Sequence, residues 1–144
     1  MGHARLQTAP FHVDDVVRQL TTPQTGGVAC YVGTVRADDD GRPVDQLTYE
    51  AYPEMAQERL ETLRHETIQR FGLLDGVVIH RTGSIRAGHP ILLVAFSARH
   101  RKEAFQALDH FMDQLKTSVP IWKHESGPQG ATWILGAENR RIPK

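Results

Sequence analysis

The sequence predicts one α+β domain in which a mixed, largely antiparallel sheet packs against two long amphipathic helices. Three observations carry that expectation. Short apolar runs around 28–35, 77–81 and 90–97 have the length of strands. Two longer stretches, one after Pro53 and one before Pro120, repeat apolar residues at helical spacing. No linker, low-complexity tract or repeat divides the 144 residues, a length that suits one domain. The domain is therefore read as 1–144, with 136–144 as a mobile basic tail around Arg140 and Arg141.

In chain order, Val13, Val16, Val17 and Leu20 mark a short first helix that Thr21, Thr22 and Pro23 stop. Val28 to Val35 reads as a strand, and Asp38, Asp39, Asp40 and Gly41 as the turn of a hairpin into a second strand, Val44 to Tyr52. In that second strand Leu47, Tyr49 and Ala51 share one face, with Thr48, Glu50 and Tyr52 on the other. Pro53 suits a first helical turn. Ala56, Leu60, Leu63, Thr67, Ile68 and Phe71 trace the buried face of the helix, which Gly72 ends. Strands at Val77 to Arg81 and Pro90 to Ser97 read as the middle of a sheet. The second long helix follows through Ala104, Leu108, Phe111, Met112 and Leu115, and Pro120 closes it. Ile121 to Glu125 and Ala131 to Leu135 are two last strands joined through Gly127 to Gly130.

Composition excludes several classes. Lys+Arg and Asp+Glu are both 17, so no global field draws the chain to nucleic acid or an anionic membrane. The longest clean apolar run, Ile91 to Phe96, falls far short of a membrane span, and Leu6 stands where myristoylation favours Ser or Thr. One cysteine, Cys30, leaves no internal disulfide or CxxC site, and a reducing, cytoplasmic setting fits. Cys30 sits in an apolar strand pattern and reads as a buried, inert thiol. Neither an HExxH pair nor a GxGxxG or Walker-type phosphate loop occurs.

Three groups of cations stand out. Arg99, His100, Arg101 and Lys102 fall where a strand hands over to a helix, and cations there oppose the helix dipole unless an anion binds; the plainer reading is a solvated charge run. Lys116 lies at a helix end, where a cation is favourable for structural reasons alone. Lys123 is less ordinary. In an extended segment it faces the same way as Ile121 and Glu125, opposite to Trp122 and His124, so a lysine is carried among partly buried residues. Neighbouring cations lower lysine pKa values toward those of a usable base. Gly33, Thr34, Val35 and Arg36 end an apolar strand with a forked cation beside a glycine that permits close approach to a ligand. The plainer alternatives are a snorkelling Lys123 paired with a carboxylate and a strand-end Arg36 that faces water; taken together, the cations are read as lining a pocket for a small anion.

The segments YVGTVR (Tyr31 to Arg36), LTYEAY (Leu47 to Tyr52), HRTG (His80 to Gly83), SARHRKEAF (Ser97 to Phe105) and LKTSVPIWKHE (Leu115 to Glu125) resemble, in order and spacing, the large catalytic subunit family of molybdopterin synthase. The resemblance implies an α/β hammerhead-type fold. It implies a homodimer, each subunit binding one small ubiquitin-like sulfur-carrier subunit to give a heterotetramer. It implies a sulfurtransferase in molybdenum cofactor biosynthesis: two sulfurs pass from the carrier's C-terminal thiocarboxylate to cyclic pyranopterin monophosphate, whose cyclic phosphate opens to leave the dithiolene of molybdopterin. Neither a metal nor an organic cofactor is implied. Carried over by position, the substrate-binding residues are Thr34, Val35, Arg36, His100, Arg101, Lys116, Lys123, His124 and Glu125, with Lys116 and Lys123 catalytic. Tyr31 stands where the family often has phenylalanine, and His124 where a more permanently charged residue is common; the latter would make binding sensitive to pH near histidine's own pKa.

Two other classes compete. A regulatory module could hold a phosphorylated ligand or RNA with the same cations, although few aromatics and zero net charge weigh against RNA. A scaffold could dimerise and dock a carrier without chemistry, but it has no need for two lysines in one pocket.

Overall fold

Ile91 to Phe96 is apolar at every position because both faces of its strand are covered. The computed structural model describes residues 3–39, 41–128, 130–135 and 140–141. A four-stranded sheet runs β1 (Ala4–Gln7), β6 (Asp75–Arg81), β8 (Pro90–Ala98), β2 (Gly27–Thr34), with β1 and β6 parallel and the other pairs antiparallel. On one face, α1 (Val13–Leu20) packs Val16 and Leu20 against Val77, Ile79, Leu93 and Ala95. On the other, α2 (Pro53–Phe71) and α3 (Arg101–Ser118) pack Leu60, Leu63, Ala107 and Phe111 against Val78, Val94 and Phe96. The alternation of strand side chains assigns each layer its set. Phe96 meets Phe111 edge to face at 5.5 Å, a geometry worth about 0.5–1.5 kcal/mol beyond area burial.

The helix limits follow local chemistry. α2 begins on Pro53 and ends at Gly72, whose φ of 63° is left-handed and suits glycine. α3 stops at Val119, extended ahead of Pro120.

A second, wholly antiparallel sheet runs β11 (Arg140–Arg141), β10 (Gly130–Leu135), β9 (Ile121–Gly127), β5 (Gln46–Ala51), β7 (Gly83–Arg86). A two-stranded β3 (Asp38–Asp39) and β4 (Arg42–Pro43) pair stands in the chain between β2 of the first sheet and β5 of the second. The mixed, largely antiparallel α+β reading holds, but as two main sheets and the small β3/β4 pair. The expected hairpin of Val28–Val35 with Val44–Tyr52 does not form: among the described residues β2 pairs with β8 alone, and β5 belongs to the other sheet. The acidic turn serves the small β3/β4 pair instead. β1 and β7 were not legible, being only four residues each. Most of the tail expected to be mobile, 136–144, lies outside the described residues; the Arg140–Arg141 backbone pairs with Ile134 and Leu135. Cys30 is exposed, not buried. Eight-residue α1 packs on β6 and β8 and reaches Val28 of edge strand β2, while Cys30 and Val32 farther along the same face stay exposed.

Candidate active site

The antiparallel pairing of β2 with β8 and the return of α3 along that sheet bring three chain segments to one end of the molecule. Gly27 lies opposite Ala98 and Thr34 opposite Pro90, so the end of β2 meets the start of β8. α3 starts beyond Ala98 and runs back, which delivers its C-terminus to the same end. There a cavity of about 370 Å³ opens between the two sheets, within the usual size range of small-molecule sites.

Each wall has a local cause. The β2/β8 register shifts between Gly33 and Thr34, an irregularity that re-aims the residues after it. Val35 is then pinned: its N–H donates to the His89 carbonyl at 3.1 Å and its carbonyl accepts from Gly88 N–H at 2.7 Å. With Val35 buried, its neighbours Thr34 and Arg36 face the cavity. Lys116 enters from the last turn of α3, beside Leu115 and Met112. The inner face of β9 contributes Ile121, Lys123 and Glu125, as strand alternation requires, and β5 contributes Leu47 and Tyr49.

Three cations, Arg36, Lys116 and Lys123, share this space with the carboxylates of Asp38 and Glu125, leaving it net basic. Glu125 is buried, as carboxylates seldom are unless partnered. His80 closes the floor. Its Nδ1 lies 2.7 Å from the Arg81 carbonyl, which can only accept, so Nδ1 carries the proton and Nε2 keeps a lone pair. Burial pushes the imidazole pKa down to about 4, the Arg81 contact opposes that, and Lys123 adds to it, so His80 is neutral at physiological pH. Its ring meets Tyr49 edge-on at 5.2 Å, and Lys123 Nζ stands 5.9 Å from the Tyr49 ring centre. Burial, with a smaller effect of Tyr31, pushes the Tyr49 hydroxyl pKa well up, and that hydroxyl has no hydrogen-bond partner among the described residues.

Of the residues singled out in sequence, Thr34, Arg36, Lys116, Lys123 and Glu125 come together. Val35 is buried behind them, and His124 falls on the opposite face of β9 from Lys123. His100 and Arg101 are exposed at the other end of α3, roughly 22 Å of helix from Lys116, and do not line this chain's cavity. Sequence reasoning passed over Tyr49 and His80 as site residues. The inward face of the β5 pattern and the HRTG segment were the signals available. Among the described residues no group of three His, Cys, Asp or Glu side chains is arranged to hold a metal.

Comparison with known proteins points one way. Residues 6–118 match the family model described as MoaE protein. A molybdopterin synthase catalytic subunit of Pyrococcus abyssi is 38% identical over 133 residues, covering 92% of this chain and 88% of the relative. The crystal structure of molybdopterin synthase from Staphylococcus aureus superposes with a TM-score of 0.87 at 28% identity, covering 92% of this chain and 97% of that one. A complex of subunits 1 and 2 of the molybdopterin-converting factor from Helicobacter pylori shares the fold, with a TM-score of 0.76 at 18% identity over 99% of this chain and 94% of that one.

Proposed function

The chain belongs to the MoaE protein family, and from that premise we propose that its basic cavity is the sulfur-transfer site of a molybdopterin synthase. The chain is the catalytic subunit of that enzyme and works with a small sulfur-carrier subunit in molybdenum cofactor biosynthesis. A carrier's C-terminal thiocarboxylate enters the cavity and gives its one sulfur to cyclic pyranopterin monophosphate. The acyl–sulfur bond breaks, an oxygen from water or the substrate leaves the carrier as the carboxylate, and a second thiocarboxylate delivers the second sulfur. The observation that carries the site assignment is the convergence of Arg36, Lys116 and Lys123 from three separate elements on one cavity.

Roles follow from chemistry. Arg36 offers a forked, permanently charged donor to phosphate. Lys116, exposed at the cavity's edge, handles the incoming thiocarboxylate and the protons that move as sulfur adds. Lys123, half-buried on the inner strand face, stabilises negative charge that develops on the substrate or the leaving oxygen, where low dielectric strengthens its effect. Thr34 and Glu125 complete the wall.

His100 and Arg101 belong to the same reaction through a second copy of the chain. They lie too far along α3 to serve their own cavity, yet in a homodimer they can reach across to the partner's. The reaction takes place in the cytoplasm in this reading, in keeping with a single free thiol. No helix among the described residues is long and apolar enough to cross a membrane.

The test mixes the chain with thiocarboxylated small subunit and cyclic pyranopterin monophosphate and follows the product by mass spectrometry. A product carrying two sulfurs is expected; its absence with a folded chain overturns the proposal.

A further inference from the structure

We propose that Tyr49 is a positioning residue whose ring face holds the Lys123 ammonium over the cavity and keeps it charged. This rests on the reading of the cavity as the sulfur-transfer site, with Lys123 as its charge-stabilising group. Tyr49 and Lys123 stand opposite each other in the β5/β9 register, and Nζ lies 5.9 Å from the ring centre, within the range of a cation–π contact. Such contacts strengthen when the pair is withdrawn from water, and Tyr49 is 2% exposed.

The ring itself is held in place. His80 packs against it at 5.2 Å with an interplanar angle of 64°, and the Arg81 carbonyl fixes the His80 ring through Nδ1. The Tyr49 hydroxyl has no hydrogen-bond partner among the described residues, so the contacts that fix this side chain within the chain are those of its ring. The platform matters because of what faces Lys123. Arg36 and Lys116 disfavour its charged form, Asp38 and Glu125 favour it, His80 is a neutral neighbour near pH 7, and the Tyr31 hydroxyl lines the same wall. An aromatic face adds to the charged form without adding another carboxylate to a site built for anions.

The pH profile of kcat/KM for two-sulfur product formation tests this, with thermal unfolding run on each variant. Tyr49→Phe keeps the ring and is expected to retain wild-type rate, profile and stability. Tyr49→Leu removes the ring; the expected result is a roughly tenfold fall in kcat/KM, with the alkaline limb moved toward neutral pH as Lys123 loses its proton more readily. Wild-type behaviour of Tyr49→Leu, or equal damage in Tyr49→Phe, overturns the proposal. Because a leucine leaves space in the core, phenylalanines of increasing fluorination at position 49 supply a series of nearly constant volume and falling ring charge. A stepwise fall in rate with a stepwise shift of the alkaline limb is expected, and a flat series overturns the proposal. Full activity of Lys123→Ala strikes instead at the reading of the cavity on which the proposal stands.

Discussion

Lys116 and Lys123 enter one cavity from either side of the bend at Val119 and Pro120, the first from the last turn of α3 and the second from the third residue of β9. The bend turns a helix end and a strand start into two walls of a site, and Pro120 ensures that the helix cannot continue through it. Lys116 is exposed and takes part in no core packing, so its removal touches chemistry and not the fold. Lys116→Ala is expected to abolish or sharply slow sulfur incorporation, while stability changes by no more than about 0.5 kcal/mol. Single-turnover mass spectrometry alongside urea unfolding checks both halves. A near-normal rate would transfer the catalytic role elsewhere.

Acid should destabilise the protein in a window that belongs to His80. Its pKa is about 4 in the folded chain against 6.5 as the ordinary value, so the unfolded chain binds the extra proton first. Stability is then fully present above pH 6.5 and is lost as pH falls toward 4, by about 3 kcal/mol for a shift of this size. Glu61 acts lower down. The hydrogen-bonded Arg64 guanidinium holds its carboxyl below the usual range, so its contribution disappears only as the carboxylate itself protonates. Urea unfolding between pH 7 and 4 should show the steep part of the loss, and His80→Asn, which keeps a donor for the Arg81 carbonyl, should flatten it. An unchanged slope in His80→Asn would assign the acid sensitivity to other groups.

Gly26 is required where β2 approaches the entry to α3. Its N–H donates to the Ala98 carbonyl at 2.9 Å, and a Cβ there would stand 1.9 Å from the Arg99 carbonyl oxygen, a backbone atom that cannot swing aside. Gly26→Ala must therefore displace the chain leading into His100 and Arg101. A loss of about 1–3 kcal/mol is expected, with reduced sulfur transfer even at temperatures where the variant is folded. Equilibrium unfolding and an activity assay well below the midpoint measure the two effects separately. Wild-type stability would mean that the strand and helix part without cost.

How much of this could be read in advance depended on whether a feature is local. The limits of α2 were legible because Pro53 and Gly72 act on their own backbone, and the alternation that turns Lys123 inward while His124 turns out is a property of any strand. The partner of a strand is not local. The Asp38 to Gly41 turn looks like a hairpin whether it joins two long strands or, as here, two short ones, and nothing near Val28 or Val44 says that they enter different sheets. Cys30 was misread for a related reason: an apolar strand is buried only where another element covers it, and β2 lies at the edge of its sheet, where Cys30 is exposed. Tyr49 and His80 are buried in the core. Their place in the site depends on β5, β6 and β9 meeting around one cavity, a relation between segments far apart in sequence. The resemblance to a known family grouped His100 and Arg101 with Lys116, whereas one chain keeps them at opposite ends of α3.

That separation makes a prediction that two inactive variants can test against each other. Lys116→Ala and Arg101→Ala should each be inactive as pure dimers. If Arg101 served its own chain's cavity, every site in a mixed dimer would lack one residue or the other, and mixing would restore nothing. If Arg101 reaches into the partner's cavity, a mixed dimer holds one site with both defects and one with neither. Random exchange of equal amounts makes about half the dimers mixed, so about a quarter of all sites should regain full activity. Co-refolding the two variants and measuring two-sulfur product against the same quantity of wild-type chain decides between the arrangements. No recovery, in a mixture shown by mass spectrometry to contain the mixed dimer, would remove His100 and Arg101 from the partner's site.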